Sequence, residues 1–301
     1  MTNIDNYDDT TLILALVKYA DVGPRLFEAL FAHFRDAQNI LRADAETLQR
    51  LSGMTAKQAQ KIAATSKKLD DARAYLEELR SRDISVTTRL DQAYPKLLLE
   101  LNDPPSMLYV RGKFPDGTRK SIGLTGTSNP TSPGIELTTR LAKKFAAHDV
   151  QVISTLRGGI DTAAHLGCKA AGGSSFAIID CGFDALVENE FMPVAIDIAL
   201  TGGVISEYLP DADKPEGAFQ ESNRLVVGFS QAVMVTEVYH DSLQTLDLLN
   251  FCQMIGKLAF VMIDPEKGVF ADEESFAKAL AYGAIPIEGY DKIDDVVRSL
   301  V

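Results

Sequence analysis

The chain lacks tryptophan and contains three cysteines among its 301 residues: Cys168, Cys181 and Cys252. An odd number of cysteines with no paired spacing argues against a disulfide framework and against a zinc site. We therefore expect no metal and no other cofactor. Sparse, unpaired cysteines are typical of proteins in the reducing cytoplasm, which is the predicted compartment.

Long apolar runs are also missing. No run approaches the ~18 residues that a membrane-spanning helix requires, so we expect no association with a membrane. The first ten residues, MTNIDNYDDT, are acidic and lack the basic-then-apolar order of a secretion signal. Both absences agree with a cytoplasmic protein.

An excess of basic residues is the third absence, since 30 Lys and Arg face 42 Asp and Glu and the net charge is −12. Residues 1–90 hold 13 of each sign, so residues 91–301 hold 17 basic and 29 acidic residues and carry the whole excess. A protein that coats duplex DNA needs a basic face, which this composition excludes. Any bound nucleic acid would need a local pocket near residues 111–169, where nine basic residues cluster in sequence: Arg111, Lys113, Arg119, Lys120, Arg140, Lys143, Lys144, Arg157 and Lys169.

The most informative stretch runs from Ser121 to His165 and predicts strand, turn, helix, strand, turn and helix. The first strand ends in Gly126, Thr127 and Ser128, and the second ends before Arg157, Gly158 and Gly159. Small residues let a ligand approach the backbone, and helix starts favour anions. Because parallel strands end at the same edge of a sheet, the two turns predict a ligand crevice there.

Two domains follow from the pattern of the whole chain. Over residues 85–301, apolar strands of four to seven residues alternate with helices, which predicts a Rossmann-like α/β fold with a doubly wound, mainly parallel sheet. Residues 1–84 show helical periodicity and predict a small all-helical domain of the helix-hairpin-helix or SAM-like kind. At its Gly53 turn, Thr55 stands where a second Gly would be usual, so either phosphate binding or mere packing of a helical bundle remains open.

Candidate site residues come from the turns and from one later segment. Arg224 follows Asn223 at a turn that we expect to open a helix, where an Arg can make a bidentate phosphate contact. The alternative is a structural Arg paired with Glu207 or Glu237. Asn223 would read a base edge or orient the loop, and the pair Asp161 and His165, four residues apart, would cap a helix and hydrogen-bond.

An ordered series of motifs resembles the DprA/Smf family over nearly the whole chain. Two of them run from Ser154 to His165 and from Phe219 to Arg224, and because the motifs occur in the right order the chain is identified as a diverged member. It departs from the family pattern where Ser128 and Ser222 replace Arg, Thr155 replaces Gly, and Asp241 enters a neutral turn. The remaining motifs are Tyr94-Pro95, Asp103-Pro104-Pro105, Leu108-Tyr109 with Arg111-Gly112, Gly126-Thr127-Ser128, Gly202 to Glu207, and Gly283-Ala284.

The resemblance implies a protein that binds and protects incoming single-stranded DNA and loads the recombinase RecA during natural transformation. It further implies a homodimer and no catalysis. The implied strand-binding site comprises Gly126, Thr127, Ser128, Ser154, Arg157, Gly158, Gly159, Asn223 and Arg224, supported by Asp161, His165 and Glu207.

Two other functions stay open from the residues alone. The same crevice could bind a nucleotide or nucleotide derivative, as a sensor or as a hydrolase that uses Glu207, Glu237 and Asp241 as carboxylates. The chain could also be a scaffold that docks partners and has an inert pocket.

Overall fold

The computed structural model describes residues 3–187, 190–215, 217–239, 242–264, 268–269 and 272–300. The chain divides into two compact units. One comprises Met1–Tyr94 with Asn102–Tyr109, and the other comprises Pro95–Leu101 with Val110–Val301. That the two parts are separate domains with a boundary at residue 84 stays a prediction.

The first unit is a bundle of short helices followed by a strand. Its core is built on α1, where Leu12, Ile13, Leu14 and Leu16 are all fully buried. The bundle is consistent with the helical periodicity of the sequence. The elements are α1 (Asp9–Ala20), α2 (Pro24–Phe34), α3 (Ala37–Arg42), α4 (Ala45–Gln49), α5 (Ala56–Thr65), α6 (Leu69–Ser81) and β1 (Ser85–Thr88).

The turn before α5 satisfies its own backbone groups. Thr55 Oγ1 accepts a hydrogen bond from the Gln58 N–H at 3.2 Å, and Gln58 Oε1 accepts one from the Thr55 N–H at 3.1 Å. This capping box already engages the N–H groups of Thr55 and Gln58 at the start of α5. The geometry therefore favours packing over phosphate binding as the use of this hairpin.

The second unit is a Rossmann-like sheet, as predicted. Its strand order is β2-β6-β5-β4-β3-β7-β8-β10, with β9 pairing antiparallel to β8. The central strands pair in parallel. The strands are β2 (Met107–Gly112, of which residues 110–112 belong to this unit), β3 (Ser121–Thr125), β4 (Gln151–Thr155), β5 (Ser175–Ile178), β6 (Gly203–Ser206), β7 (Ala232–Val235), β8 (Leu258–Asp264), β9 (Gly268–Val269) and β10 (Ile285–Glu288).

Helices cover both faces of this sheet, which makes it doubly wound. Alternate residues of β3 point to opposite faces. Ile122 and Leu124 pack in one core with α7 and α8. On the other face, a Cβ at Gly123 would lie 3.2 Å from Val226 of α11, so the missing side chain lets that helix approach closely. The helices are α7 (Ser132–Ala147), α8 (Gly159–Ala170), α9 (Phe183–Val187), α10 (Met192–Thr201), α11 (Ala218–Phe229), α12 (Leu243–Ile255), α13 (Glu273–Ala281) and α14 (Ile293–Ser299).

One predicted boundary is wrong. The helix expected to open at Arg224 begins six residues earlier, at Ala218, and Arg224 lies inside it. The apolar residues from Leu225 onward mark only its second half, because its first half is half-buried and polar. Arg224 is therefore held by a helix rather than by a turn.

Candidate functional site

Two turns meet at the edge of the sheet where the parallel strands end, here called the carboxyl edge. The first turn (residues 126–128) follows β3, and the second turn (residues 157–159) follows β4. The Ile160 N–H donates to the Thr127 carbonyl at 3.1 Å. A Cβ at Gly159 would lie 2.4 Å from that carbonyl oxygen, and its φ is +56°. Only glycine therefore lets the turns come this close.

A cavity of about 250 Å³ opens between these turns and the start of α12. Two helices, α8 and α12, begin at its wall. The starts of helices carry partial positive charge and N–H groups, so the wall favours an anion. The lining residues are Gly126, Thr127, Ser128, Arg157, Gly158, Asp161, Phe219, Ser242, Leu243, Gln244 and Thr245.

Arg157 is the cation of this cavity, and two neighbours orient it. Its Nε donates to Thr155 Oγ1 at 2.9 Å, and its Nη2 donates to Asn223 Oδ1 at 2.7 Å. Among the described residues, its buried Nη1 has no hydrogen-bond partner. The two hydrogen bonds hold the half-buried guanidinium at the cavity wall.

Asp161 and His165 are buried beside the second turn, but the predicted contacts are wrong, because α8 has no side-chain cap and both residues engage Thr155 instead of each other. The Asp161 carboxylate accepts hydrogen bonds from Thr125 Oγ1, at 2.7 Å, and from Thr155 Oγ1. His165 Nε2 lies 2.9 Å from the Thr155 carbonyl oxygen, which can only accept, so Nε2 carries the proton. Burial lowers the pKa of His165 and keeps the ring neutral.

Asn223 links the second turn to α12. Its Oδ1 accepts from Arg157, while its Nδ2 donates to the Gln244 carbonyl at 2.7 Å. Both ends of the amide are therefore engaged within the protein. Of the two uses left open by the sequence, this geometry favours orientation of Arg157 over reading of a base edge.

Arg224, the strongest sequence candidate, lies away from the cavity lining. The residue is 5% exposed, and its guanidinium donates to Glu207 and, at 2.5 Å, to Glu221. This is the structural pairing that the sequence left as the alternative. An Arg held between two carboxylates is neutralised in place, so the geometry does not support a phosphate contact by Arg224.

Ser154 is also turned away from the cavity. Its hydroxyl is fully buried and donates to the Leu124 carbonyl at 2.7 Å, which ties β4 to β3. The sequence places Ser154 in a strand but does not show which face of the sheet its side chain takes, because the side chains of a strand alternate between faces.

Several cavity residues were missed. Phe219 is the first residue of the motif that ends in Arg224, and residues 242–245 come directly after Asp241, where the chain departs from the family pattern. Both places could therefore have been found from the sequence. The acid predicted to enter that turn, Asp241, lies outside the described residues together with His240. Residues 242–245 lie at the start of α12, which gives them their place at the cavity.

A carboxylate of the chain itself occupies the start of α7. The buried carboxylate of Glu237 accepts the Thr131 N–H at 3.1 Å on both oxygens, and the Tyr239 hydroxyl at 2.5 Å. A Cβ at Gly134 would lie 1.8 Å from Glu237 Oε2, so glycine makes room for this carboxylate. Burial and this hydrogen bond raise the pKa of Tyr239 to about 12.

The prediction that the basic residues between positions 111 and 169 form one pocket is wrong. Of the nine basic residues that cluster in sequence, only Arg157 lines the cavity. The others precede β3, end β2 beside the start of β6, or lie in the second halves of α7 and α8, which run back toward the opposite edge. Several are already paired: Arg119 with Asp149, Lys144 with Asp294, and Lys169 with Asp197.

The three cysteine thiols are not activated. Burial raises the pKa of Cys168 and Cys252 to about 12 and that of Cys181 to about 11, so the thiols are neutral. Within the described ranges, no group of His, Cys, Asp and Glu could hold a metal ion. Across the same part of the chain, no helix has the length and apolar character needed to cross a bilayer.

This fold defines a Rossmann-like α/β protein with a small helical unit. The family model for DNA recombination-mediator protein A matches residues 85–291, and the model for a SAM-like helix-hairpin-helix tandem matches residues 13–68. The chain therefore belongs to the DNA recombination-mediator protein A family, which is the DprA/Smf family that its motifs resembled.

Sequence relatives agree with this membership. The chain is 31% identical over 229 residues to the Smf protein of Synechocystis, covering 74% of this chain and 57% of the relative. It is 28% identical over 159 residues to the DNA processing protein DprA of Bacillus subtilis, covering 52% of this chain and 54% of that one. The chain thus spans little more than half the length of the curated relatives it matches.

Solved structures agree on the fold. DprA of Streptococcus pneumoniae superposes with a TM-score of 0.77 at 20% identity, covering 98% of this chain and 99% of that one. DprA of Helicobacter pylori, studied for its single-stranded DNA binding mode, gives a TM-score of 0.61 at 23% identity, covering 72% of this chain and 97% of that one. At these identities the likeness supports the architecture alone.

Proposed function

We propose that this protein binds single-stranded DNA at the cavity between the two turns and α12. One backbone phosphate would lie against Arg157 and the start of α12, with its base toward Phe219 and Leu243. Loading of RecA and action as a homodimer during DNA uptake belong to the same proposal, and family membership supports them. The names of the relatives, DNA processing protein and DNA recombination-mediator protein, agree with this role.

The observation that carries the proposal is the place of Arg157, whose guanidinium is oriented by Thr155 and Asn223 on a residue that lines an open cavity. Arg157 is half-buried, and a phosphate in the cavity would gain from it a charged hydrogen bond, which contributes about 1.5–3 kcal/mol.

The apolar side of the cavity suits a nucleobase. Leu243 is 68% exposed at the start of α12, and Phe219 lines the same cavity. A base stacked on an aromatic ring gains about 1–3 kcal/mol without regard to its identity. A phosphate site beside an aromatic site is the combination that non-specific binding of a single strand requires.

Binding without hydrolysis is supported by the state of the carboxylates. Glu207 is paired with Arg224, and Glu237 accepts hydrogen bonds from Thr131 and Tyr239. Asp241, the third carboxylate of that alternative, lies outside the described residues. A carboxylate that acts as a general base must be able to reach a substrate proton, whereas Glu207, Glu237 and the cavity residue Asp161 already accept hydrogen bonds within the protein.

The test is a side-by-side measurement of binding by fluorescence anisotropy. The ligands are a labelled 12-nucleotide single strand of mixed sequence and the duplex formed with its complement, each in 50 mM and 200 mM salt. We expect the single strand to bind more tightly than the duplex at both salt concentrations. Absence of strand binding by a folded sample in 50 mM salt would contradict the proposal.

A further inference from the structure

We infer that the helical first unit makes a contact of its own with the strand, through a row of exposed lysines on and directly after α5. The row, here called the lysine face, consists of Lys57, Lys61, Lys67 and Lys68. Its side-chain charges would contact phosphates of a single strand without regard to base sequence. The inference rests on the proposed function and extends it, because it adds a contact outside the cavity.

The charge around α5 differs from that of the rest of the chain. Residues 47–69 contain Arg50 and the four lysines but no Asp or Glu, in a chain whose net charge is −12. A stretch with charge of one sign creates a local positive potential, and such a potential attracts a polyanion. The acidic second half of the chain offers no comparable attraction, since residues 91–301 carry the whole negative excess.

Helix geometry brings the lysines to one side. Lys57 and Lys61 lie one turn apart on α5, and the other side of this helix is buried. Lys67 and Lys68 continue the row on the short 3-10 turn (Ser66–Lys68) that joins α5 to α6. All four lysines are exposed, so their charges reach solvent together.

The stability of the helices does not account for two of these lysines. Lys57 lies in the first turn of α5, which contains no acidic residue, and a cation there is opposed by the helix dipole. Lys68 is the N-cap of α6 and makes no side-chain cap, at a position where Ser, Thr, Asp or Asn is favoured. Both placements cost the fold stability, which a bound polyanion would restore.

The other ion pairs of the row can be exchanged for phosphates. Lys61 pairs with Asp21, and Lys68 pairs with Asp71 at 2.8 Å. Both carboxylates are exposed, and exposed ion pairs contribute little to stability. Among the described residues, Lys57 has no ion pair, and neither has Lys67.

The surroundings of the lysine face favour a strand over an acidic protein as its partner. The core of a protein–protein interface is apolar and rich in aromatic residues. Within the described residues 3–94, the one exposed large apolar side chain is Leu90. The exposed residues between Lys57 and Lys67, apart from Lys61, are Gln60 and Ala64. Charge without an apolar anchor is typical of sequence-independent contact with phosphates.

The salt dependence of strand binding tests the lysine face. Labelled (dT)20 is titrated by fluorescence anisotropy from 50 mM to 200 mM salt, with the wild type and with the double variant Lys57→Gln and Lys67→Gln. Each neutralised phosphate of a single strand contributes about 0.7 to the slope of log K against log salt, so the variant should lose about 1.4. Across this range of salt, its affinity should therefore fall about sevenfold less than that of the wild type.

The matched control is the double variant Arg25→Gln and Arg80→Gln. It removes the same charge from exposed positions of the same unit and should keep the wild-type slope. Gln has nearly the helix propensity of Lys and Arg, and urea denaturation checks that both variants fold. An unchanged slope in the lysine variant, or an equal reduction in the control, would overturn the inference.

A labelled 20-residue polyglutamate distinguishes the two kinds of partner. It carries negative charge without phosphates and should bind the wild type at least tenfold more weakly than (dT)20. Binding as tight as that of (dT)20, and lost in the lysine variant, would mean that the lysine face accepts an acidic polypeptide and would overturn the inference.

The outcomes also separate the inference from the proposed function. If the lysine variant keeps the wild-type slope while Arg157→Ala loses affinity, the lysine face fails and the cavity stands. If Arg157→Ala binds as the wild type does while the lysine variant loses affinity, the cavity fails and the lysine face stands. A folded protein that binds no strand in 50 mM salt would overturn both.

Discussion

The first and second turns are built from the same parts and end in opposite states. Each follows a buried parallel strand, contains small residues and leads into a helix. The first turn precedes a helix start that is filled by Glu237. The second carries Arg157, whose buried Nη1 has no partner among the described residues. Similar local sequence has therefore produced one helix start occupied by a carboxylate and one cavity lined by a guanidinium.

The difference arises from distant residues. Glu237 lies 106 positions from Thr131, and Asn223 lies 66 positions from Arg157. The carboxylate neutralises the start of one helix, whereas the amide orients a guanidinium at the start of the other. Whether such a turn can bind a phosphate therefore depends on long-range contacts as well as on the residues of the turn itself.

The largest expected effect comes from separating the two turns. Gly159→Ala would place a Cβ 2.4 Å from the Thr127 carbonyl oxygen at a φ of +56°. Left-handed strain of about 1–2 kcal/mol and overpacking of about 1–3 kcal/mol should together lower the free energy of unfolding by about 2–5 kcal/mol. Urea denaturation measures this change.

Gly172→Ala is the matched control for this substitution. Its φ is +71°, but no atom lies within 4 Å of the added Cβ. It should therefore lose only the strain of about 1–2 kcal/mol. Equal losses in the two variants would show that the close approach of the turns is not what requires glycine.

The next effect is on strand affinity. Arg157→Ala should weaken binding of the single strand by about 10-fold to 150-fold, because a charged hydrogen bond of about 1.5–3 kcal/mol is lost. Anisotropy titrations at 50 mM salt measure it. Arg140→Ala, which removes an equal charge from the second half of α7, should bind as the wild type does. Similar losses in both variants would mean that overall charge, rather than the second turn, controls binding.

A smaller loss of strand affinity should follow when Arg157 stays in place but loses the hydrogen bond that orients it. Asn223→Ala removes the acceptor of Nη2 and the link to Gln244. We expect strand affinity to fall about three- to tenfold, because the guanidinium must be ordered on binding at a cost of about 0.5–1.5 kcal/mol. The salt slope should stay unchanged, since the phosphate contact itself remains. A flatter slope would mean that the phosphate contact is lost.

Much of this could be predicted from sequence, and the failures share one cause. Strand and helix periodicity revealed the sheet, the helical unit and both turns, because these patterns are local. Arg224 and Ser154 carried a plausible local pattern, yet Glu207 and the Leu124 carbonyl engage them across the fold. The basic cluster failed likewise, because α7 and α8 run back from the carboxyl edge with four of its members, while four others precede β3 or lie at the end of β2. Which polar groups are already satisfied depends on contacts between strands and helices that no local spacing records.

A further expected effect distinguishes the two turns by the pH dependence of stability. Burial lowers the pKa of His165 beneath the second turn, so the unfolded chain binds more protons than the folded one once the pH falls below about 6.5. Stability should therefore be complete above that pH and decline below it, by up to about 1.4 kcal/mol per pH unit. Tyr239, with a pKa of about 12, gives the first turn no such dependence near neutrality. The measurement is urea denaturation of wild type and His165→Gln from pH 5 to 8. The difference in stability between them should shrink as the pH falls, and a constant difference would mean that the buried ring does not titrate with unfolding.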